Sequence, residues 1–199
     1  MTATMMKLPK SRLFLLLAAA LVPAACAGPG PRSAAPAPVT VDAGGHVVRP
    51  NAERGRDDTI GRTVASRLSE SDAGAFRNVS VLAWDGAVLL TGAVAKPEQR
   101  RRAGQIAGAV GGVSTVHNEL TLVEAAAAAA FVADAGGEQR LQTALSGRSD
   151  IAGAYAVRMV NGVVYLLGTA RSAEDVARAT DFARDADGVK WVVEHVAIR

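Results

Sequence analysis

A stretch of ten residues occurs twice in this chain. Residues 85–94 read DGAVLLTGAV, and residues 161–170, 76 positions later, read NGVVYLLGTA. The repeat is longer than these ten residues, because residues 75–123 align with residues 151–199 without a gap. Its matched positions are turn glycines and apolar residues, which define a fold and resemble no reaction centre. The 199 residues are therefore predicted to form two small domains of one architecture.

The elements of the first copy follow from the spacing of its apolar residues. Residues 57–68 (DDTIGRTVASRL) place apolar side chains four positions apart on one helical face, and the opening aspartates are suited to cap that helix. The Asp85-Gly86 pair between two alternating apolar runs is a strong β-hairpin signal. Pro97 begins a second helix, and a last strand is predicted over residues 113–123.

The predicted order of elements is αββαβ in each copy, which is an α+β fold. The second helix of each copy joins two parallel strands by a right-handed crossover. Each domain is therefore predicted to be a three-stranded mixed sheet that packs against two helices. A single domain of about 65 residues buries little apolar surface by itself. We therefore expect the two domains to contact each other.

The second copy differs in the segment that precedes its hairpin. Residues 124–134 form an alanine-rich connector, and we predict helix across the alanines. Gly136-Gly137 is predicted to interrupt this helix, which then resumes with Leu141 and Leu145 on one face. The predicted domains are residues 52–123 and residues 135–199.

Residues 1–25 have the three-part layout of an export signal. Three basic residues precede the apolar run LFLLLAAALV, which at ten residues is too short to span a bilayer. Small residues follow around Cys26, the only cysteine of the chain, so an intramolecular disulfide is excluded. Residues 26–51 are rich in Pro, Ala and Gly and are predicted to be a disordered linker, with ends about 30 Å apart.

The position of Cys26, directly after the signal, is similar to that of the acceptor cysteine in bacterial lipoproteins. Ala24 and Ala25 fit the small positions of a lipobox, whereas Pro23 stands where that motif usually carries leucine. The alternative is cleavage at an A-x-A site formed by Ala25 and Ala27, which would release a soluble periplasmic protein. Both interpretations export the chain from the cytoplasm.

The motifs together resemble the BON domain family. The pattern consists of a helix with D-x-x-I-x-x-x-V-x-x-x-L, hairpins that carry DGxVxLxG and NGxVxLxG, and a following GV pair. The resemblance covers residues 57–199. With its signal, cysteine and linker, the chain is also similar to outer-membrane lipoproteins that contain two BON domains.

This resemblance implies a non-enzymatic protein that binds anionic phospholipid and supports outer-membrane integrity. It implies a lipid anchor on Cys26 at the periplasmic face of the outer membrane. In this family the lipid contact lies on the first helix of the second domain, here residues 138–145. Arg140 is then the phosphate-facing charge, and Leu141 and Leu145 are partly inserted apolar residues. Outer-membrane and periplasmic proteins are further candidate partners.

The alternative function is that of a soluble periplasmic chaperone or stress-protective protein. No cofactor or metal is expected, because His46, His117 and His195 lie far apart in sequence and are predicted to face solvent. No nucleophile elbow is present, which argues against a serine hydrolase. Trp84 and Trp191 lie in predicted strands and are expected to be packing residues.

The charge balance of the exported part gives no argument for nucleic acid as a partner, and none is expected. The formal net charge of +3 comes from the signal, which contains three basic residues and no acidic ones. The remainder of the chain has 19 basic and 19 acidic residues. Such a balance provides no general attraction for a polyanion.

Overall fold

The computed structural model describes residues 48–199, so the predicted signal, Cys26 and most of the predicted linker lie outside the described residues. Within this range the chain forms four α-helices, one short 3-10 helix (η1) and seven β-strands. The elements are, in chain order, α1 (Asn51–Phe76), β1 (Val79–Trp84), β2 (Ala87–Val94), α2 (Pro97–Gly108), β3 (Thr115–Asn118), β4 (Thr121–Leu122), η1 (Ala128–Phe131), α3 (Ala135–Ser146), β5 (Gly153–Val160), β6 (Val163–Ala170), α4 (Ala173–Arg184) and β7 (Trp191–Ile198).

The predicted α+β class and the αββαβ order of both domains are confirmed. In the first domain β1 pairs with β2 antiparallel, and β3 and β4 pair with β2 in parallel. The second domain repeats this arrangement with the strand order β5-β6-β7. Helices α1 and α2 cover one face of the first sheet, and α3 and α4 cover one face of the second.

Helix α1 begins earlier than the sequence predicts, so the proposed cap at its opening aspartates is wrong. Asp57 lies inside the helix, where its carboxylate is buried and accepts a hydrogen bond from Arg49 Nη2 at 2.5 Å. The guanidinium of Arg49 also lies 3.9 Å from the centre of the Trp84 ring. Arg49 belongs to the predicted linker, so the last residues of that linker are ordered by contacts with the first domain.

The last strand of the first domain is broken, and the prediction of one strand over residues 113–123 is wrong. Glu119 and Leu120 separate β3 from β4. Leu120 turns into the core of the domain, whereas Leu122 is 44% exposed. The chain bends here because Leu120 fills the space beneath the helices. The equivalent strand of the second domain, β7, is continuous over eight residues.

Helix α3 is continuous, so the predicted interruption at Gly136-Gly137 is also wrong. Asp134 caps the helix, because its carboxylate accepts a hydrogen bond from the Gly137 amide at 2.9 Å. A Cβ on Gly137 would lie 2.6 Å from the sulfur of Met159, so glycine allows the helix to approach β5. The alanine connector forms turns and η1 instead of the predicted helix, because the chain becomes extended at Val132 to pair with β5.

The two sheets pack against each other through the faces that their helices leave free. A buried cluster contains Leu89 of the first domain and Val160, Tyr165 and Leu167 of the second. Apolar residues in β2 and β6 are therefore buried on both faces of the strand, which explains their nearly continuous apolar sequence. The partly buried residues around the cluster are Leu82, Trp84, Ala87, Phe131, Ala133, Val163 and Val193.

Polar contacts fix one end of this sheet-to-sheet interface. Trp84 Nε1 donates a hydrogen bond to Thr169 Oγ1 at 3.1 Å. Arg199, directly after β7, forms an ion pair with Asp85 in the β1–β2 turn at 2.5 Å. Both contacts join the first domain to the second, so the relation between the two sheets is set by directional bonds as well as by apolar packing.

The recurring strand glycines are predicted to be required by close packing. A Cβ on Gly168 would collide with the carbonyl oxygen of Ala154, and one on the equivalent Gly92 would collide with that of Asn78. Gly168→Ala is therefore expected to lower the free energy of unfolding in urea by about 1–3 kcal/mol. Gly55→Ala is the control, because nothing lies within 4 Å of its Cβ position. It should raise stability by up to about 1 kcal/mol. A Gly168→Ala protein as stable as the unchanged chain would contradict this explanation.

Candidate functional site

A groove of about 460 Å³ lies between α3 and α4 of the second domain. Two arginines and two aspartates, all exposed, border it. Its lining is otherwise mostly apolar. The groove therefore combines an apolar surface with charges of both signs. The residues that line it are Gly137, Arg140, Leu141, Ala144, Arg148, Met159, Phe182, Asp185, Ala186, Asp187 and Val189.

The three residues predicted to contact lipid lie in different environments. Arg140 is exposed and borders the groove. Leu141 and Leu145 are each 4% exposed and belong to the core cluster of the second domain. The spacing that places both leucines on one helical face directs that face towards the sheet. The prediction that they are partly inserted apolar residues is therefore corrected, because their insertion would require α3 to leave its own domain.

The two arginines at the groove differ in their partners. Arg148 Nε and Nη2 donate to the two carboxylate oxygens of Asp150 at 2.7 and 2.6 Å, and these bonds lower the pKa of Asp150 to about 2. The Arg148 guanidinium also lies 4.9 Å from the centre of the Phe182 ring. Arg140 has no carboxylate within ion-pair distance in the part of the chain that the structure describes. Of the two groove arginines, Arg140 is therefore the cation more available to an added anion.

The sequence pattern alone does not reveal the α4 side of this groove. Phe182, Asp185 and Val189 reach the groove from α4 and from the loop that follows it. One signal was available, because Phe182 is the only aromatic residue in the helix AEDVARATDFAR. The position of Phe182 opposite α3 depends on how the two helices lie on the sheet, and apolar spacing alone does not define that arrangement.

A second cluster of titratable residues lies where the two domains meet. His117 of β3 and His195 of β7 stack with their ring centres 4.0 Å apart. Nε2 of His195 lies 3.0 Å from Oε1 of Glu119. Burial lowers the pKa of His117, and the charge of His195 lowers it further, whereas Glu119 raises it. The prediction that these two histidines simply face solvent is therefore wrong.

The described residues contain neither a metal site nor a membrane span. Within residues 48–199, no group of three or more His, Cys, Asp or Glu side chains is arranged to hold a metal ion. Among the same residues, none of the helices has the length and apolarity needed to cross a membrane.

Comparison with protein families identifies each copy of the repeat. The model of the BON domain matches residues 56–124 and matches again over residues 134–199. The chain belongs to the BON domain family. BON domain proteins are envelope or periplasmic proteins, are generally non-enzymatic, and are associated with phospholipid binding or other envelope functions.

Other similarities to this BON domain protein are more distant. An uncharacterized protein in the gshII 5′ region of Anaplasma centrale is 29% identical over 128 residues, which are 63% of this chain and 85% of that protein. Two structures of CdsD, a structural protein of the type III secretion system of Chlamydia trachomatis, are 18% and 17% identical, with TM-scores of 0.28 and 0.27. The matched regions cover 72% and 71% of this chain, and 67% and 63% of the respective CdsD chains. Values this low support no functional argument.

The histidine stack predicts that contact between the two BON domains weakens in acid. Because the pKa of His117 is lowered in the folded protein, its contribution to stability is complete above about pH 6.5 and is lost as the pH falls below that value. A proton on His117 would place a positive charge against the His195 ring, whose centre lies 4.0 Å away and whose charge opposes it, with Glu119 offsetting part of the repulsion. In thermal unfolding experiments, the Tm should fall as the pH is lowered from 7.5 to 5.5. The expected fall is about 2–4 °C for each 1 kcal/mol of unfolding free energy that is lost.

His117→Gln is the matched variant for this measurement. It removes the titrating ring at the interface and retains a polar side chain of similar length. The variant is expected to lose less stability than the unchanged chain over the same pH range. An equal loss in both proteins would show that other groups cause the pH dependence.

Proposed function

We propose that this BON domain protein is a non-enzymatic envelope lipoprotein that binds anionic phospholipid and supports outer-membrane integrity. The observation that carries the proposal is the groove between α3 and α4, where the exposed Arg140 adjoins apolar side chains. A phospholipid is complementary to this combination, because its anionic phosphate is joined through a short glycerol backbone to apolar acyl chains. The groove is thus suited to the part of a lipid where headgroup and chains meet.

The charged residues of the groove suggest how a headgroup is oriented. The guanidinium of Arg140 can donate two parallel hydrogen bonds to a phosphate. Asp185 and Asp187 border the same groove and can accept hydrogen bonds from headgroup hydroxyls, such as those of phosphatidylglycerol. The half-buried Phe182 side chain offers apolar contact to the first carbons of an acyl chain. Phosphatidylglycerol is therefore the lipid of choice for a first test.

The first domain supports the preference for an anionic membrane. Arg67, Arg101 and Arg102 on its two helices are exposed, and none has a carboxylate within ion-pair distance among residues 48–199. Each basic residue near an anionic membrane surface contributes about 1 kcal/mol of attraction. These arginines would increase the residence of the protein near such a surface without selecting one lipid molecule.

Binding is tested by flotation with vesicles, using Cys26→Ser protein so that no lipid anchor contributes. The protein is expected to float with vesicles that contain phosphatidylglycerol and to bind phosphatidylcholine vesicles weakly. Arg140→Glu should reduce this binding about tenfold, because it replaces a charge-assisted contact with a repulsive one. Arg171→Glu is the control, since this exposed arginine of the same domain lies outside the groove lining. No binding by the parent protein, or equal losses in both variants, would reject the groove as the lipid site.

The anchor is tested separately by metabolic labelling with palmitate. The proposal expects label on the unchanged chain and none on Cys26→Ser. If the unchanged chain carries no label, the lipoprotein assignment fails and the soluble periplasmic alternative takes its place. Because flotation uses unlipidated protein, its result does not depend on this outcome.

A further inference from the structure

Trp191 is the most exposed large apolar residue of the described chain, at 67%. The expectation that it is a packing residue is therefore wrong. Trp84 behaves as expected, because it is half-buried, lies against Arg49 and donates a hydrogen bond to Thr169. The two tryptophans of the chain thus have opposite environments. An exposed indole of this size needs a reason other than the core.

Trp191 lies at the same end of the second sheet as a second exposed apolar residue. Trp191 pairs with Val163 of β6, Val163 pairs with Val160 of β5, and Val160 bridges to Ala133. Because neighbouring strands lie about 4.8 Å apart, Ala133 and Trp191 are about 14 Å apart across this row. Val132, directly before Ala133, is 59% exposed. Two exposed apolar side chains therefore occupy one end of the second sheet.

The backbone beside Trp191 is held firmly in place. The amide of Lys190 donates a hydrogen bond to the Gly162 carbonyl oxygen at 2.7 Å. Its side-chain amine lies 3.4 Å from the carbonyl oxygen of Asn161 in the same hairpin turn. The indole is therefore presented from an ordered strand end, with a cation next to it. We call Val132, Lys190 and Trp191 the hairpin-end edge.

The groove between α3 and α4 reaches the same end of the domain. Met159 lines the groove and directly precedes Val160 of the row described above. Val189 also lines the groove and lies two positions before Trp191. A surface that contacts the hairpin-end edge would therefore also lie near the groove. The proposed lipid site and the exposed indole therefore belong to the same end of the second domain.

The first domain shows that the fold does not need a tryptophan at this position. The equivalents of Lys190 and Trp191 in the repeat are Ser114 and Thr115. Thr115 pairs with Ala87 in the same register in which Trp191 pairs with Val163. One backbone position thus carries a small polar residue in one domain and an exposed indole in the other. Packing of the fold does not explain this difference.

We propose that the hairpin-end edge docks the second domain on the surface of a phospholipid bilayer. The inference rests on the proposed function and adds which surface of the second domain contacts the membrane. The indole of Trp191 suits the boundary between headgroups and acyl chains, where Trp is enriched in membrane proteins. Val132 adds apolar contact, and the Lys190 ammonium faces lipid phosphates.

The charges near the edge indicate what drives this docking. Asp185 and Asp187 lie on the loop that leads to Lys190 and oppose attraction to an anionic surface. Docking by the edge therefore depends mainly on apolar insertion of Trp191. The preference for anionic lipid is provided by Arg140 and by the arginines of the first domain. In this orientation the groove lies beside the membrane surface, where a lipid headgroup can enter it.

The chain contains two tryptophans, so two single-tryptophan proteins can test the contact directly. Both are made with Cys26→Ser, one with Trp84→Phe and the other with Trp191→Phe, and circular dichroism verifies their folding. With phosphatidylglycerol vesicles, the emission of Trp191 should shift to shorter wavelength and be quenched by lipids brominated on the acyl chain. Trp84 should show neither change. Emission from Trp191 that is unaffected by vesicles would overturn the inference.

Flotation of Trp191→Thr, which inserts the residue found in the first domain, gives the second measurement. Loss of the indole should weaken vesicle binding at least about tenfold. Ile198→Thr is the control, because Ile198 is 56% exposed at the other end of β7. Equal losses of vesicle binding in both variants, or no loss in Trp191→Thr, would show that the hairpin-end edge is not the docking surface. If the parent protein binds and only Arg140→Glu fails, the proposed function stands without this edge. If the parent protein does not bind, both are rejected.

Discussion

The packing of one sheet on the other is the contact on which the rest of this structure depends. In an isolated domain the helices would cover only one face of the sheet, and Leu89, Tyr165 and Leu167 would be exposed to water. Each domain therefore covers the sheet face that the helices of the other domain leave free. This arrangement explains why the duplication is kept in one chain, and it allows two small cores to act as one larger hydrophobic unit.

Because the fold is built from two copies, the positions where the copies differ are informative. Glycines and core residues recur, since both domains must satisfy the same backbone geometry. Within the repeat, Trp191 corresponds to the small polar Thr115, and the aromatic Phe182 corresponds to the aliphatic Ile106. These differences lie on α4 and at the start of β7. The second domain thus carries a surface that the shared fold does not require.

Much of the fold could be predicted from the repeat, because turn glycines and apolar spacing report local backbone geometry. The same spacing predicted that Leu141 and Leu145 share a helical face, but it could not show that this face is buried. The sequence pattern also did not predict the break at Glu119 and Leu120, since both domains have similar patterns there. Contacts between distant residues, such as His117 with His195, depend on how the two sheets meet, which no local pattern defines.

The contact between His195 and Glu119 has a consequence for pairing between molecules. The two residues occupy equivalent positions of the repeat, so the contact joins one position of the fold to the same position in the other copy. Two first domains from different chains, packed in the same way, would place Glu119 against Glu119. Two second domains would bring His195 against His195. The unlike pair therefore favours packing of a first domain on a second domain over packing of two like domains from different chains.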